Sequence, residues 1–118
     1  MKGGGIMSKT LWTISFKSNN QDFGSGVITL DGDQIYGGDV GYYYLGKFVT
    51  TGNSISASAT ITKHNPSVVS IFGNFTSFKL ALTGNGSISD GHFSLSGHVE
   101  EYPQMTMTAT MRKLVNLA

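Results

Sequence analysis

Four stretches of the chain alternate apolar and polar residues with a period of two, the pattern of a strand with one face in a core and the other in water. Trp12, Ile14 and Phe16 interleave with Thr13, Ser15 and Lys17, and Ile55, Ala57, Ala59 and Ile61 interleave with Ser54, Ser56, Ser58, Thr60 and Thr62. In the C-terminal half Phe93, Leu95, Gly97 and Val99 oppose His92, Ser94, Ser96 and His98. Met105, Met107, Ala109 and Met111 likewise oppose Thr106, Thr108, Thr110 and Arg112. A helix would scatter each apolar set around its axis, so no stretch reads as helical and the chain reads as all-β.

Weaker strands cover Gly26 to Leu30, Gln34 to Gly38, Tyr42 to Val49 and Phe78 to Thr83, which brings the total to eight. Their connectors are Ser18-Asn19-Asn20-Gln21, Asp31-Gly32-Asp33, Gly38-Asp39-Val40-Gly41, Thr51-Gly52-Asn53, Gly84-Asn85-Gly86 and Glu100-Glu101-Tyr102-Pro103. Gly and Asn in these positions accept the backbone of tight turns, and most connectors are of hairpin length. His64 to Phe75 differs: Pro66 interrupts it, and Val68, Val69, Ile71 and Phe72 are apolar without alternation, as in a short helical turn or lid. Short connections pair consecutive strands, and closing the sheet removes exposed edges, so the expected fold is an eight-stranded up-and-down antiparallel β-barrel of the lipocalin or calycin type. A β-sandwich fits the same strand count. Residues 1–10 are expected to be a flexible leader and 11–118 a single domain, long enough to bury one core.

Composition narrows the function classes. The absence of cysteine removes disulfides, thiol nucleophiles and zinc-thiolate sites. The net charge is +1, and the 8 Lys and Arg are spread along the chain with only Arg112 and Lys113 adjacent, so no basic stripe offers itself to nucleic acid or an acidic membrane. No apolar run approaches a membrane span, and none near Met1 has the length of a secretory signal; the expected location is the cytoplasm.

The order Trp12-x-Ile14-x-Phe16, Gly24-x-Gly26-Val27, Gly37-Gly38-Asp39, Tyr44-x-Gly46, His64 and Ser70-Ile71-Phe72-Gly73 resembles the GrlR-type negative regulators associated with bacterial type III secretion. The likeness runs from about Leu11 to Arg112. It implies a lipocalin-like barrel that forms a homodimer and represses by binding a transcriptional activator rather than DNA. The best-known member of that family binds its activator through an acidic four-residue run a few residues beyond the Tyr-x-Gly motif. Thr50, Thr51, Gly52 and Asn53 occupy that position here, and none is acidic. A neutral turn cannot offer the charge that would steer and hold a basic partner, so the resemblance carries the fold further than the partner.

Several residues invite a chemical role. Gly37, Gly38 and Asp39 read as a turn, with Asp39 a polar anchor inside the barrel or at its rim. Asp31, Asp33 and Asp39 hint at calcium, but Ile35, Tyr36 and Tyr42 stand where a calcium loop needs a ligand, a glycine and a glutamate. His92 and His98 share a strand face roughly 20 Å apart, too far for one metal ion, and His64 stands alone at the start of the irregular connection. The seven carboxylates and the outward serines form no nucleophile, base and orienter set. Gly24-Ser25-Gly26 lacks the third glycine and the helix of a dinucleotide site, so no cofactor is expected. Tyr42, Tyr43, Tyr44 and Phe48 form the densest aromatic patch, a candidate surface for a partner or a second copy.

The expected interior comprises Trp12, Ile14, Phe16, Phe78, Leu80, Phe93, Leu95, Met105 and Met107. Ala57, Ala59, Gly97 and Ala109 are small residues that leave space for an apolar ligand if the larger ones do not fill the barrel. The residues therefore point to a non-enzymatic protein-binding regulator, with a small apolar-ligand carrier as the alternative.

Overall fold

The computed structural model describes residues 9–18, 22–67 and 76–117. Eight strands follow one another in the chain: β1 (Lys9–Ser18), β2 (Asp22–Asp31), β3 (Gln34–Gly38), β4 (Tyr42–Thr51), β5 (Ser54–Lys63), β6 (Ser77–Asn85), β7 (His92–Val99) and β8 (Tyr102–Asn116). They close into one antiparallel up-and-down barrel in which each strand pairs with its neighbours in sequence and β8 pairs with β1. All eight expected strands are present, and closure rather than a sandwich is the outcome. Residues 1–8 of the expected leader, residues 19–21 of the first connector and residues 68–75 lie outside the described residues. Lys9 and Thr10 already belong to β1, so the barrel begins before Leu11.

Alternation sets the core. Trp12, Ile14, Phe16, Phe78, Leu80, Phe93, Leu95 and Met107 are all buried, and Met105 is partly buried against them. The rings interlock edge to face, Trp12 with Phe93 at 5.2 Å and Phe16 with Tyr44 at 5.5 Å between centroids, the arrangement favoured by the aromatic quadrupole. Trp12 is fully buried, and its indole N–H donates to the Thr10 hydroxyl at 2.7 Å, so the one polar atom of the ring keeps a partner.

The expectation of space at the small residues is corrected at Gly97. A Cβ there would run into the carbonyl of Ala81 on β6 and lie 2.9 Å from the Leu82 Cα. The missing side chain thus allows two backbones to approach where β6 and β7 pair over four residues only, Leu80 to Thr83. Ala109 is likewise fully buried.

At the end where β1 begins lie the turns β2–β3, β4–β5 and β6–β7, the last containing a single 3-10 turn at Ile88–Asp90 that is closed by Gly91 in the left-handed conformation. The opposite end carries the β3–β4 turn, the β5–β6 connection and the Glu100–Glu101 turn. Tyr102 and Pro103, expected in that last connector, already belong to β8.

Candidate functional site

The tyrosine run divides between the two sides of β4. Tyr42 and Tyr44 are buried, Tyr43 is 42% exposed, and Phe48 is partly buried against the core. A surface made of all four is therefore corrected: alternation sends Tyr42, Tyr44 and Phe48 inward and leaves Tyr43 alone outside. Tyr42 packs edge to face on Phe78, with the Lys63 ammonium 5.9 Å from its ring centroid.

Register gathers a different surface around Tyr43. One row across the outer wall reads Val27 on β2, Gly38 on β3 and Tyr43 on β4; the next reads Thr29, Tyr36 and Leu45; the third reads Asp31, Gln34 and Lys47. Val27, Tyr36, Tyr43 and Leu45 are between 42% and 49% exposed, and Val49 further along β4 is more so. The first four lie side by side on adjacent strands, and an apolar patch on a monomer often serves a function. Gly38 has no side chain, so Val27 and Tyr43, two strand spacings or roughly 10 Å apart, become the walls of a notch. Glycine is required there, since a Cβ would approach the Tyr42 carbonyl oxygen to 2.9 Å.

Much of the rest of the wall is polar, although Tyr102, Leu114 and Val115 on β8 are exposed as well. The outer positions of β5 are Ser54, Ser56, Ser58, Thr60 and Thr62. Ser94 and Ser96 on β7 face Thr110 and Thr108 on β8, with hydroxyl oxygens 3.3 and 3.5 Å apart. Cross-strand hydroxyl pairs satisfy one another and offer little to a partner. Sequence reasoning missed Val27, Tyr36 and Leu45 because they lie on three strands. The signal that could have found them is hairpin register counted outward from the Asp31-Gly32-Asp33 turn.

Gly37, Gly38 and Asp39 build the β3–β4 turn. One Asp39 carboxylate oxygen accepts the backbone N–H groups of Gly41 and Tyr42, both at 2.8 Å, and the other accepts the Tyr44 hydroxyl. Burial, reinforced by the hydrogen bond to Asp39 and its negative charge, pushes the Tyr44 phenol far above its ordinary value. The His64 ring Nε2 lies 3.0 Å from the Asp39 carbonyl oxygen, and the His64 N–H donates to the Gly41 carbonyl at 2.9 Å. This cluster ties β3, β4 and the end of β5 together. It holds the notch in shape and presents no nucleophile.

Thr50, Thr51, Gly52 and Asn53 form the exposed tip of the β4–β5 hairpin, accessible but uncharged. Asp31 and Asp33 stand at the opposite end of the barrel from Asp39, and among the described residues no three His, Asp or Glu side chains gather as a metal site would require. His92 and His98 lie apart on β7, opposite Arg112 and Thr106. Inside the barrel, Leu30, Ile35, Phe48, Ile55, Ala57, Ile88, Phe93, Leu95 and Met111 line an apolar recess of about 10 Å3, roughly the space needed to seat one water. No helix among the described residues is long and apolar enough to cross a membrane. No model of a known protein family matches the chain, and a comparison with curated proteins likewise gives no match.

Proposed function

We propose that this protein is a non-enzymatic, cytoplasmic regulator that acts by binding a protein partner, as the GrlR-type negative regulators do. The observation that carries the reading is the cluster of exposed apolar side chains, Val27, Tyr36, Tyr43 and Leu45, that register brings together on β2, β3 and β4. A standard interface takes about 800 Å2 from each partner. The patch supplies the apolar centre of such an area, with Thr29 and Thr60 at its rim.

The test is capture from the source bacterium followed by mass spectrometry, with wild type and Leu45→Glu in parallel. A partner retained by the first and lost by the second is the expected result, and recovery of no specific protein would reject the reading. The same proposal includes a homodimer, supported by a charged fraction of only 13%. Light scattering that reports a monomer across a wide concentration range would reject that part.

The alternative, a carrier of small apolar molecules, draws on the wholly apolar lining of the recess. It has less support, because a recess of about 10 Å3 falls far short of the several hundred Å3 of a typical ligand site.

A further inference from the structure

We infer that Asn85 is the modification site at which this chain deamidates, and that the contact between the β4–β5 hairpin tip and the β6–β7 turn sets the pace. The inference stands apart from the protein-binding reading.

Asparagine is among the thermally labile side chains. In its deamidation the backbone nitrogen of the next residue loses its proton and attacks the side-chain amide carbon. A new C–N bond closes a succinimide ring, and the amide nitrogen leaves as ammonia with that proton. Water then opens the ring at either carbonyl to give aspartate or isoaspartate. A side chain on the attacking residue crowds the step, so glycine permits it best. Of the asparagines in the chain only Asn85 precedes a glycine. Asn53 precedes Ser54, Asn116 precedes Leu117, and Asn65 precedes Pro66, whose nitrogen carries no proton to lose. Asn85 is also exposed, at the last position of β6.

The fold withholds the nucleophile. The Gly86 N–H donates to the Asn53 carbonyl at 2.7 Å, so the proton that must leave is held by the neighbouring hairpin. The Gly86 backbone also lies close against Phe93, since a Cβ on it would stand 2.9 Å from the Phe93 Cβ. Ring closure must therefore wait until the Asn53 carbonyl moves away. Asn53 follows Gly52, whose φ of +60° shapes the tip, and opening a hairpin tip costs far less than unfolding a barrel. The product carries a negative charge opposite Ser54, the register partner of Asn85, beside a tip whose residues Thr50 to Asn53 have none. Isoaspartate also lengthens the main chain just ahead of the turn that holds Ile88.

The test incubates the full chain at mildly alkaline pH, folded and in denaturing urea, and follows each asparagine by peptide mapping and mass spectrometry. The mass gain of an amide becoming an acid separates this reaction from isomerisation at Asp31-Gly32 or Asp90-Gly91, which leaves the mass unchanged. Asn85 is expected to react first in urea and at least about tenfold more slowly in the folded chain. Gly52→Ala puts a side chain at a left-handed position with open space around it, which loosens the tip without obstructing the barrel. It should speed the folded reaction about threefold to tenfold and leave the rate in urea unchanged. Tyr44→Phe, which weakens the opposite end of the barrel, should leave the folded rate at Asn85 as it is. Another asparagine reacting first in urea, equal rates at Asn85 in the two states, or no response to Gly52→Ala would overturn the inference. Equal acceleration by Tyr44→Phe and Gly52→Ala would also overturn it, because whole-barrel unfolding and not the tip contact would then set the pace.

Discussion

Tyr36 on β3 and Leu45 on β4 are direct register partners on the outer wall, one 44% and the other 49% exposed. An apolar cross-strand pair contributes about 0.2–1 kcal/mol to a sheet, and substitutions at exposed positions usually stay within about 0.5 kcal/mol. Tyr36→Ser and Leu45→Ser should therefore melt close to wild type, singly or together, yet lose capture of the protein partner. Thermal unfolding and capture measured side by side check this. Loss of both stability and capture would move the pair from interface to scaffold.

The barrel itself was legible because inward and outward residues differ in kind along most strands. Ser and Thr mark the outside of β5 and β8, and Gly or Asn marks the turns. The tyrosine run was not legible in this way, since three identical side chains give no clue to which one faces water; only the apolar Tyr44 ring packing on Phe16 settles its side. The Asp39 cap was half visible: Gly37-Gly38-Asp39 reads as a turn, but the acceptor role toward Tyr44 depends on β4 returning alongside β3. The outer patch was invisible for a similar reason. Val27, Tyr36 and Leu45 become neighbours only through the pairing of three strands, and single-strand periodicity carries no cross-strand information.

The Tyr44 phenol gives the fold a dependence on alkaline pH. Its folded value is raised above the unfolded value near 10, so its stabilising contribution is complete below about pH 10. Above that, the unfolded chain loses the proton while the folded one keeps it, and stability falls with rising pH at up to about 1.4 kcal/mol per unit. Tyr44→Phe removes both this dependence and the hydrogen bond to the Asp39 carboxylate, at a cost of about 1.5–3 kcal/mol. Denaturant unfolding at pH 8 and pH 11 should show the gap between wild type and variant narrow at the higher pH. A gap that is constant or widens contradicts the assignment.

Gly97 is the glycine at which an added Cβ would meet the tightest obstacle among the described residues. Because the obstacle to a Cβ is the Ala81 backbone and not a movable side chain, Gly97→Ala must push β7 away from β6 where only four residue pairs join them. Overpacking of this kind usually costs about 1–3 kcal/mol. The effect should concentrate at the β6–β7 seam. Hydrogen exchange would then accelerate at Leu80, Leu82 and Val99 more than at Ile14 or Ile28. Uniform acceleration, or none, would show that the seam tolerates the methyl group.

Whether the barrel also holds a ligand can be read from Trp12, which is fully buried and in contact with Phe93. Phe93 lines the apolar recess, so a molecule entering there would disturb the environment of the indole. A fatty acid needs a volume far above the roughly one-water recess found among the described residues, and admission there would require displacing Ile88 or Phe48 from the core they pack against. Added fatty acids should accordingly leave Trp12 emission unchanged, and native mass spectrometry of protein purified from its own host should give the mass of the chain alone or of its dimer. Saturable quenching at one ligand per barrel would show that the recess opens, and would place the carrier reading ahead of the regulator.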